Sequence, residues 1–193
     1  NEVLQTALIQ DYKIVVSGGT DKFKYYVSPH YYNNTGVIRN SKSEGYGIKS
    51  KIDIKLNNSV LMKVEIDAGH GDVLNQYYGS AGSSTSHPLM AALLWSPTEP
   101  VYDEDGQLNR LGIGTGTILN PKLLVSPEER YYSNWANAVG NLNINILDGL
   151  SLALNGKVGF STGGTRKFVS KNYTGTNAAA NQVSYENLNW LIN

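Results

Sequence analysis

Apolar and polar side chains alternate along the stretch from Tyr46 to Leu56. The even positions are apolar apart from Ser50, and the odd positions carry the charges. The alternation stops at the polar turn Asn57–Ser59 and resumes from Val60 to Ala68. Because successive side chains of a β-strand point to opposite faces, this pattern places the apolar residues on one face and the charges on the other. Two such strands joined by a short turn predict an antiparallel hairpin.

The same alternation recurs upstream and downstream, which predicts about seven strands in total. One further hairpin is centred on Asp148-Gly149, and another on the turn Gly18–Asp21. A last strand with a blurred period is predicted from Val183 to Ile192. Pro29 falls within a strand, and because proline has no N–H donor it is expected to weaken one rung of the ladder. The predicted fold class is all-β, with antiparallel up-and-down strands.

The predicted connections alternate in length. Three are short, at residues 18–21, 57–59 and 147–149, and three are long, at residues 33–43, about 72–130 and 161–181. Every second connection of an antiparallel meander lies at the same end, so the short turns share one end and the long loops share the other. This asymmetry is typical of outer-membrane β-barrels, and a loop of about sixty residues is unusual in a compact soluble domain. Periodicity alone leaves a soluble β-sandwich open, because its strands alternate in the same way.

Composition narrows the function classes. The chain has 193 residues, 13 Tyr and 20 Gly, with 16 basic and 16 acidic side chains. Zero net charge argues against a nucleic-acid-binding protein. The absence of Cys excludes a disulfide framework, thiol catalysis and cysteine-based metal sites. The best candidate for a membrane-spanning helix, Met90–Trp95, is far too short. Neither end has the features of a natural terminus, so we expect an internal piece of a longer chain.

Candidate chemistry is sparse. The spacing of His30, His70 and His87 is not that of a metal site, so ordinary polar positions are the better interpretation. Asp103–Gly106 lacks the glutamate that closes an EF-hand calcium loop, which favours a plain turn. Gly112–Gly116 lacks the lysine of a phosphate-binding loop, which favours a flexible loop. With no nucleophile elbow or catalytic triad order either, we expect neither an enzyme nor a cofactor.

Several motifs resemble the SusC/RagA family of TonB-dependent outer-membrane transporters. Tyr12–Ser28 resembles a barrel hairpin of that family, and Tyr32–Asn40 resembles the loop that follows it. Gly45–Asn57 resembles the next strand, although the family usually carries an arginine pair where this chain has Gly45 and Lys49. Further matches follow in the family's order: the loop Pro100–Gly106, the pair Asn120-Pro121 and the hairpin Asn141–Phe160.

The resemblance implies a plugged barrel of about 22 strands, of which residues 1–193 would form about a third within one barrel domain. The plug domain and the TonB box would precede the chain and the remaining strands would lie outside it. The Gly18-Gly19 turn would be periplasmic, and the loop at about 72–130 would be extracellular. The expected function is TonB-dependent import of a bulky nutrient, a glycan or an oligopeptide, across the outer membrane of a Gram-negative cell. The expected partners are a SusD/RagB-like surface lipoprotein, TonB and outer-membrane lipid.

Two sets of residues are candidates for contact with a ligand or partner. Charged side chains of the central hairpin would face the lumen, where they contact the plug or line a hydrated wall: Lys49, Lys51, Asp53, Lys55, Lys63, Glu65 and Asp67. Aromatic side chains of the long loop would contact substrate or lipoprotein, or pack within the loop: Tyr77, Tyr78, Trp95 and Tyr102. Two other functions remain open, a soluble or surface-attached β-rich binding or adhesion module and a passive porin.

Overall fold

The computed structural model describes residues 2–76, 87–112, 118–126, 128–171 and 177–193, and all of its strands lie in one antiparallel sheet. The strands are β1 (Ile9–Lys13), β2 (Val16–Gly19), β3 (Phe23–Thr35), β4 (Lys42–Lys55), β5 (Val60–Gln76), β6 (Glu128–Leu147), β7 (Leu150–Val169) and β8 (Ala179–Ile192). Their spatial order is β1-β3-β4-β5-β6-β7-β8, with β2 also paired to β3. The sheet is a meander that does not close on itself, which confirms the predicted all-β, up-and-down fold.

Strands β1 and β2 occupy one position in the sheet, interrupted opposite Pro29. The pairs Lys13↔His30 and Val16↔Val27 share one register across the gap. Ile14 N–H donates to the Pro29 carbonyl at 3.1 Å, but the proline has no N–H to return the bond. The weakened rung predicted from the sequence is therefore confirmed, and the sheet has seven strand positions.

The connections alternate in length along the meander. Residues 20–22, 56–59 and 148–149 form the short connections at one end, and residues 36–41, 77–127 and 170–178 form the longer ones at the other. The strands extend beyond the predicted boundaries, because β6 and β7 each have 20 residues. Near the end that carries the longer connections, both faces of these strands include charged, hydroxyl and amide side chains, so the apolar alternation that marks a strand is lost there.

One face of the sheet is apolar and uncovered. The pairs Ile52↔Val64 and Ile54↔Met62 place the apolar residues of the central hairpin on this apolar face. Ile66 is 44% exposed and Val158 is 47% exposed. No second sheet packs on them within the described residues, so the described part of the chain forms one open sheet and does not itself form a β-sandwich.

The apolar face has a defined height. Five successive cross-strand rows, from the row of Val60 to the row of Ala68, contain no charged side chain on β3 to β8. At about 3.3 Å per residue these rows span ~26 Å along the strand, and the nine positions from Val60 to Ala68 are comparable with the about 9–11 tilted residues that a transmembrane β-strand requires.

An aromatic row borders the apolar face, and charged rows follow it. The bordering row runs across four strand positions through Tyr12, Tyr31, Tyr46 and His70. The ring centroids of Tyr46 and His70 lie 5.4 Å apart. The next two rows on the same face hold the charges Lys42, Glu44, Asp72, Arg130 and Arg166. The face therefore changes sharply from apolar to charged at the aromatic row.

The buried core of the described residues lies mainly in the long connection. Helix α1 (Pro88–Leu94) and helix α2 (Pro121–Leu124) bring together the buried side chains of Ala91, Ile118 and Leu124. Both helices begin with a proline, whose missing N–H is tolerated in the first turn. Neither has the length and apolar character required to cross a membrane.

Candidate functional site

The seven predicted charged residues share one face of the β4–β5 hairpin, which we call the polar face. The register pairs Lys49 with Asp67, Lys51 with Glu65 and Asp53 with Lys63 across the two strands. Lys55 lies opposite Leu61 on the same face. Opposite charges that face each other across two strands stabilise the strand pair. These three pairs therefore favour the observed register, which keeps all the charges on one face.

Glu65 is the centre of a three-residue ion cluster on the polar face. Its two carboxylate oxygens lie 2.8 Å from Lys49 Nζ and 2.9 Å from Lys51 Nζ. The three side chains are between 36% and 48% exposed. Solvent-exposed ion pairs of this kind contribute about 0–1 kcal/mol each. Each of the three side chains has an ionic partner within the cluster, and the cluster as a whole carries a net charge of +1.

A block of four glycines adjoins these charges on the polar face, and the sequence analysis did not identify it. Gly45 and Gly47 of β4 pair with Gly71 and Gly69 of β5. A Cβ at Gly45 would lie 2.8 Å from the Tyr32 ring, and a Cβ at Gly47 would lie 2.5 Å from the His30 ring. The sequence signal is glycine at two alternate positions in each strand, Gly45-Tyr46-Gly47 and Gly69-His70-Gly71.

Trp135 covers the other side of the glycine block. A Cβ at Gly69 would clash with the six-membered part of its ring, which also extends towards Gly71. The indole N–H donates to Asp67 Oδ2 at 3.1 Å. Asp67 is one of the predicted lumen-facing residues, and in the structure its carboxylate positions the Trp135 ring through this hydrogen bond.

The four predicted loop aromatics have different environments. Trp95 packs against the loop core, and its indole N–H donates to the Glu99 carbonyl at 3.1 Å. Tyr102 is 41% exposed, its hydroxyl accepts a hydrogen bond from Lys122, and the Lys122 Nζ lies 4.9 Å from its ring centroid. Tyr77 and Tyr78 lie outside the described residues. Trp95 is therefore committed to packing within the loop, whereas Tyr102 keeps an accessible ring.

Asn120 organises the long connection, and sequence reasoning missed this role. Its side chain is fully buried, and Nδ2 donates to the carbonyls of Val101 at 2.9 Å and Asn109 at 2.8 Å. Its Oδ1 accepts from the Lys122 N–H and caps α2. The two loop motifs that resemble the SusC/RagA family, around Val101 and at Asn120-Pro121, are thus joined by one amide group.

The long connection is tied to the beginning of the chain. Lys122 Nζ lies 2.5 Å from Glu2 Oε2, and Asn40 Nδ2 donates to the Val125 carbonyl at 2.8 Å. The hydrogen bond with Lys122 lowers the pKa of Glu2 below its ordinary value, and the same bond raises the pKa of Lys122. These contacts hold three chain segments together at the end of the sheet that carries the longer connections.

Of the remaining chemical candidates, His70, His87 and Asp103 have hydrogen-bond partners within the fold. His70 Nδ1 lies 2.7 Å from Asn134 Oδ1, and His87 accepts from Leu89 N–H at the start of α1. The carboxylate of Asp103 accepts from the backbone N–H of Asp105 and Gln107, as in a plain turn. Among the residues that the structure describes, no three His, Cys, Asp or Glu side chains are grouped as metal ligands.

Known proteins with similar sequences are TonB-dependent receptors. The chain is 24% identical over 143 residues to TonB-dependent receptor P26 of Formosa agariphila, a match that covers 74% of this chain and 12% of the relative. It is 27% identical over 116 residues to TonB-dependent receptor P3 of the same organism, covering 58% of this chain and 12% of the relative. The matches thus span about an eighth of the length of these relatives. No protein-family model matches the chain.

Solved structures with the same fold are those of RagAB. The RagAB peptide importer in its open-open state superposes with a TM-score of 0.74 and 18% identity, over 99% of this chain and 22% of that one. The RagAB peptide transporter gives 0.73, and the closed-closed state of the importer gives 0.71 over 97% of this chain. The predicted resemblance is confirmed: the chain is SusC/RagA-like, similar in sequence to TonB-dependent receptors and in fold to part of RagAB.

Proposed function

We propose that this chain forms part of the barrel wall of a TonB-dependent transporter that imports a bulky nutrient, a glycan or an oligopeptide, across the outer membrane. The observation that carries the proposal is the uncovered apolar face, which extends ~26 Å along its strands and is bordered by the aromatic row and then by charges. A surface of this size exposed to water would lead to association. Acyl chains, with interfacial aromatics at their boundary, are the environment that matches it.

The two faces and the two ends of the sheet then have distinct roles. The apolar face contacts lipid, and the polar face lines the barrel lumen, where Glu65 and its two lysines form part of a hydrated wall. The end with the short turns faces the periplasm. The end with the longer connections is extracellular, so the segment tied together by Lys122 and Asn120 would cover the outer rim. In this arrangement the chain supplies wall and loops and carries out no covalent chemistry.

The proposed partners follow from the similarity to TonB-dependent receptors and RagAB. A SusD/RagB-like lipoprotein would sit over the extracellular loops and deliver substrate to the barrel. TonB would act on a plug domain outside this chain and open a path through the lumen. Of the predicted contact residues, Tyr102 is the described one with an accessible aromatic ring for substrate or lipoprotein.

Membrane fractionation and uptake test the proposal together. We expect the full-length protein to be found in outer membranes, to require detergent, and to migrate differently on gels before and after heating. We also expect cells that carry it to take up labelled oligosaccharides or peptides too large for passive pores, and a protonophore to abolish that uptake. A protein that stays in solution without detergent would instead be a binding or adhesion module. Uptake that resists the protonophore would identify a passive porin.

A further inference from the structure

The positive charges of the apolar face lie in a single row. Among the described strand positions on this face, Lys and Arg occur only at Lys42, Arg130 and Arg166, and the register places all three in one cross-strand row. This cation row is the second row beyond the aromatic row, ~13 Å further along strands that rise about 3.3 Å per residue. Barrel strands tilt by about 35–45°, which makes the height difference ~10 Å. The aromatic row is the proposed boundary of the hydrocarbon, so the cations lie at the level of the lipid head groups.

Two of the three cations face each other directly. Arg130 of β6 is paired with Arg166 of β7 in the register. The Cα atoms of such a pair are about 4.5–5.5 Å apart, and like charges directly opposite each other destabilise a strand pair. The neighbouring positions of the row, Leu74 on β5 and Gln182 on β8, are uncharged. An anion between the two guanidinium groups would therefore remove the repulsion.

Residues of the row between the cations and the aromatic row hold both guanidinium groups in place. Arg130 Nε donates to the two carboxylate oxygens of Asp72, each at 2.8 Å, and the Asp72 side chain is only 13% exposed. This interaction uses Nε alone, so the two terminal nitrogens can donate to another anion. The Arg166 guanidinium lies 5.3 Å from the centroid of the Tyr132 ring, a cation–π contact that does not use its N–H groups as hydrogen-bond donors.

Two other carboxylates share this end of the apolar face. Glu44 Oε2 is paired with Lys42 Nζ at 2.7 Å. Glu128, one row beyond the cations, forms no ion pair with Arg130 or Arg166 among the described residues. In the part of the chain that the structure describes, Arg166 therefore has no ionic partner, and the opposed arginines keep their capacity for an anion.

We infer that Arg130 and Arg166 form a binding site for a phosphate group of a phosphorylated glycolipid, of the lipid A type, in the outer leaflet of the membrane. Guanidinium groups bind phosphate through parallel N–H···O bonds, and two opposed arginines can hold one phosphate from both sides. Because the site continues into the apolar rows, the acyl chains of the same molecule would lie along those rows. Lys42, two strand spacings or about 10 Å from Arg130, is within reach of a second phosphate on a disaccharide head group.

The inference rests on the proposed function, and it names the lipid that this part of the barrel wall contacts. The proposed function places the end with the longer connections outside the cell, which is the side of the outer membrane where phosphorylated glycolipids form the leaflet. At the opposite end, the strand positions of the apolar face hold no Lys or Arg within the described residues. The site therefore distinguishes the two leaflets.

Native mass spectrometry of the purified full-length protein in detergent tests the site. The probes are diphosphoryl lipid A, lipid A with both phosphates removed, phosphatidylglycerol and inorganic phosphate. We expect diphosphoryl lipid A to bind most tightly, and the double variant Arg130→Gln/Arg166→Gln to weaken it about ten- to one-hundred-fold. Lys167→Gln is the matched control, because it removes a positive charge next to Arg166 but on the polar face. This control should leave the affinity unchanged.

Thermal unfolding separates lipid binding from a merely structural role of the arginines. Without lipid A, Arg166→Gln removes the repulsion with Arg130, so we expect an unfolding midpoint equal to or above that of the wild type. With saturating lipid A the wild type gains stability from the bound ligand, and we expect the order to reverse. The same order under both conditions would contradict the inference. Heat-dependent gel migration verifies that each variant has assembled as a barrel.

Four binding results would overturn the inference: dephosphorylated lipid A or phosphatidylglycerol binds as tightly as diphosphoryl lipid A, inorganic phosphate displaces lipid A, the double variant binds like the wild type, or Lys167→Gln weakens binding as much as the double variant. The proposed function is distinguished by its own assay. Energy-dependent uptake by a protein whose lipid A binding does not depend on Arg130 and Arg166 would refute the site and leave the transporter proposal standing. Arginine-dependent lipid A binding without energy-dependent uptake would do the reverse.

Discussion

Replacing Ile52 with arginine tests the assignment of the two faces most severely. Ile52 lies in the third of the five apolar rows, with two rows on either side of it. If this face contacts lipid, the third row is near the middle of the bilayer, where an arginine costs a barrel about 2–4 kcal/mol. That cost corresponds to about a 30- to 1000-fold change in the folding equilibrium.

Two control variants separate lipid exposure from general disruption. Lys51→Gln changes the adjacent residue, whose side chain is on the polar face and shares Glu65 with Lys49, so its cost should be about 0–1 kcal/mol. Tyr46→Arg introduces the same charge on the apolar face but in the aromatic row, where the cost falls to about 0–1 kcal/mol. The three variants therefore differ in face or depth while staying on one strand.

The assay is urea-dependent folding of the full-length protein into lipid vesicles, with the folded fraction read from heat-dependent gel migration. We expect only Ile52→Arg to shift the folding midpoint strongly. Equal damage from Ile52→Arg and Lys51→Gln would refute the assignment of faces. Equal damage from Ile52→Arg and Tyr46→Arg would refute the position of the membrane boundary.

Three further predictions concern single contacts. Asn120→Ala removes two buried hydrogen bonds and the cap of α2, so the local free energy of unfolding of residues 87–112 and 118–126 should fall by about 1–3 kcal/mol. Limited proteolysis should then cut these residues faster than in the wild type, while the sheet stays intact. Pro29→Thr restores an N–H opposite Ile14, and the added hydrogen bond should raise the local free energy of opening there by about 0.5–1.5 kcal/mol. Hydrogen exchange at this site should slow accordingly. Unchanged exchange would mean that the proline does not cause the interruption. Because the pKa of Glu2 is lowered in the folded protein, its bond to Lys122 stabilises the structure above the ordinary carboxyl pKa and is lost as the pH falls through the lowered value. The protection of amides near residue 2 against hydrogen exchange, taken relative to their intrinsic exchange rates at each pH, should therefore fall on acidification, and Glu2→Gln should remove that fall.

The sequence predicted the part of the fold in which the two faces differ chemically. The charges from Lys49 to Lys55 alternate mainly with isoleucines, and both the antiparallel hairpin and the common face of these charges were confirmed. Strands β4 and β5 extend further towards the longer connections than the alternation predicts. The reason is that Glu44 and Asp72 are charged but lie on the same side of the sheet as the apolar rows, so they interrupt the pattern. Beyond the aromatic row neither face is apolar, and periodicity then cannot distinguish a strand from a loop.

The site features were predictable only where they depend on local sequence. Asn120 is recognisable as a helix cap before Pro121, but its bonds to Val101 and Asn109 depend on how the loop folds back. The ring contacts with the glycine block join Tyr32, His30 and Trp135 of β3 and β6 to glycines of β4 and β5, so they exist only once the register is known. Glycine at alternate positions in both central strands was their local signal, because a strand gains nothing from glycine unless another group approaches the backbone closely.

The most direct test of the account is the environment of consecutive β4 side chains. Single cysteines introduced from position 46 to position 55 in a cysteine-free full-length protein, then spin-labelled in lipid vesicles, report the access of oxygen dissolved in lipid and of a nickel chelate dissolved in water. We predict strict alternation, with positions 48, 52 and 54 accessible to oxygen and positions 49, 51 and 53 accessible to nickel. Positions 48, 52 and 54 inaccessible to both reagents, as in the core of a soluble protein, would contradict the account.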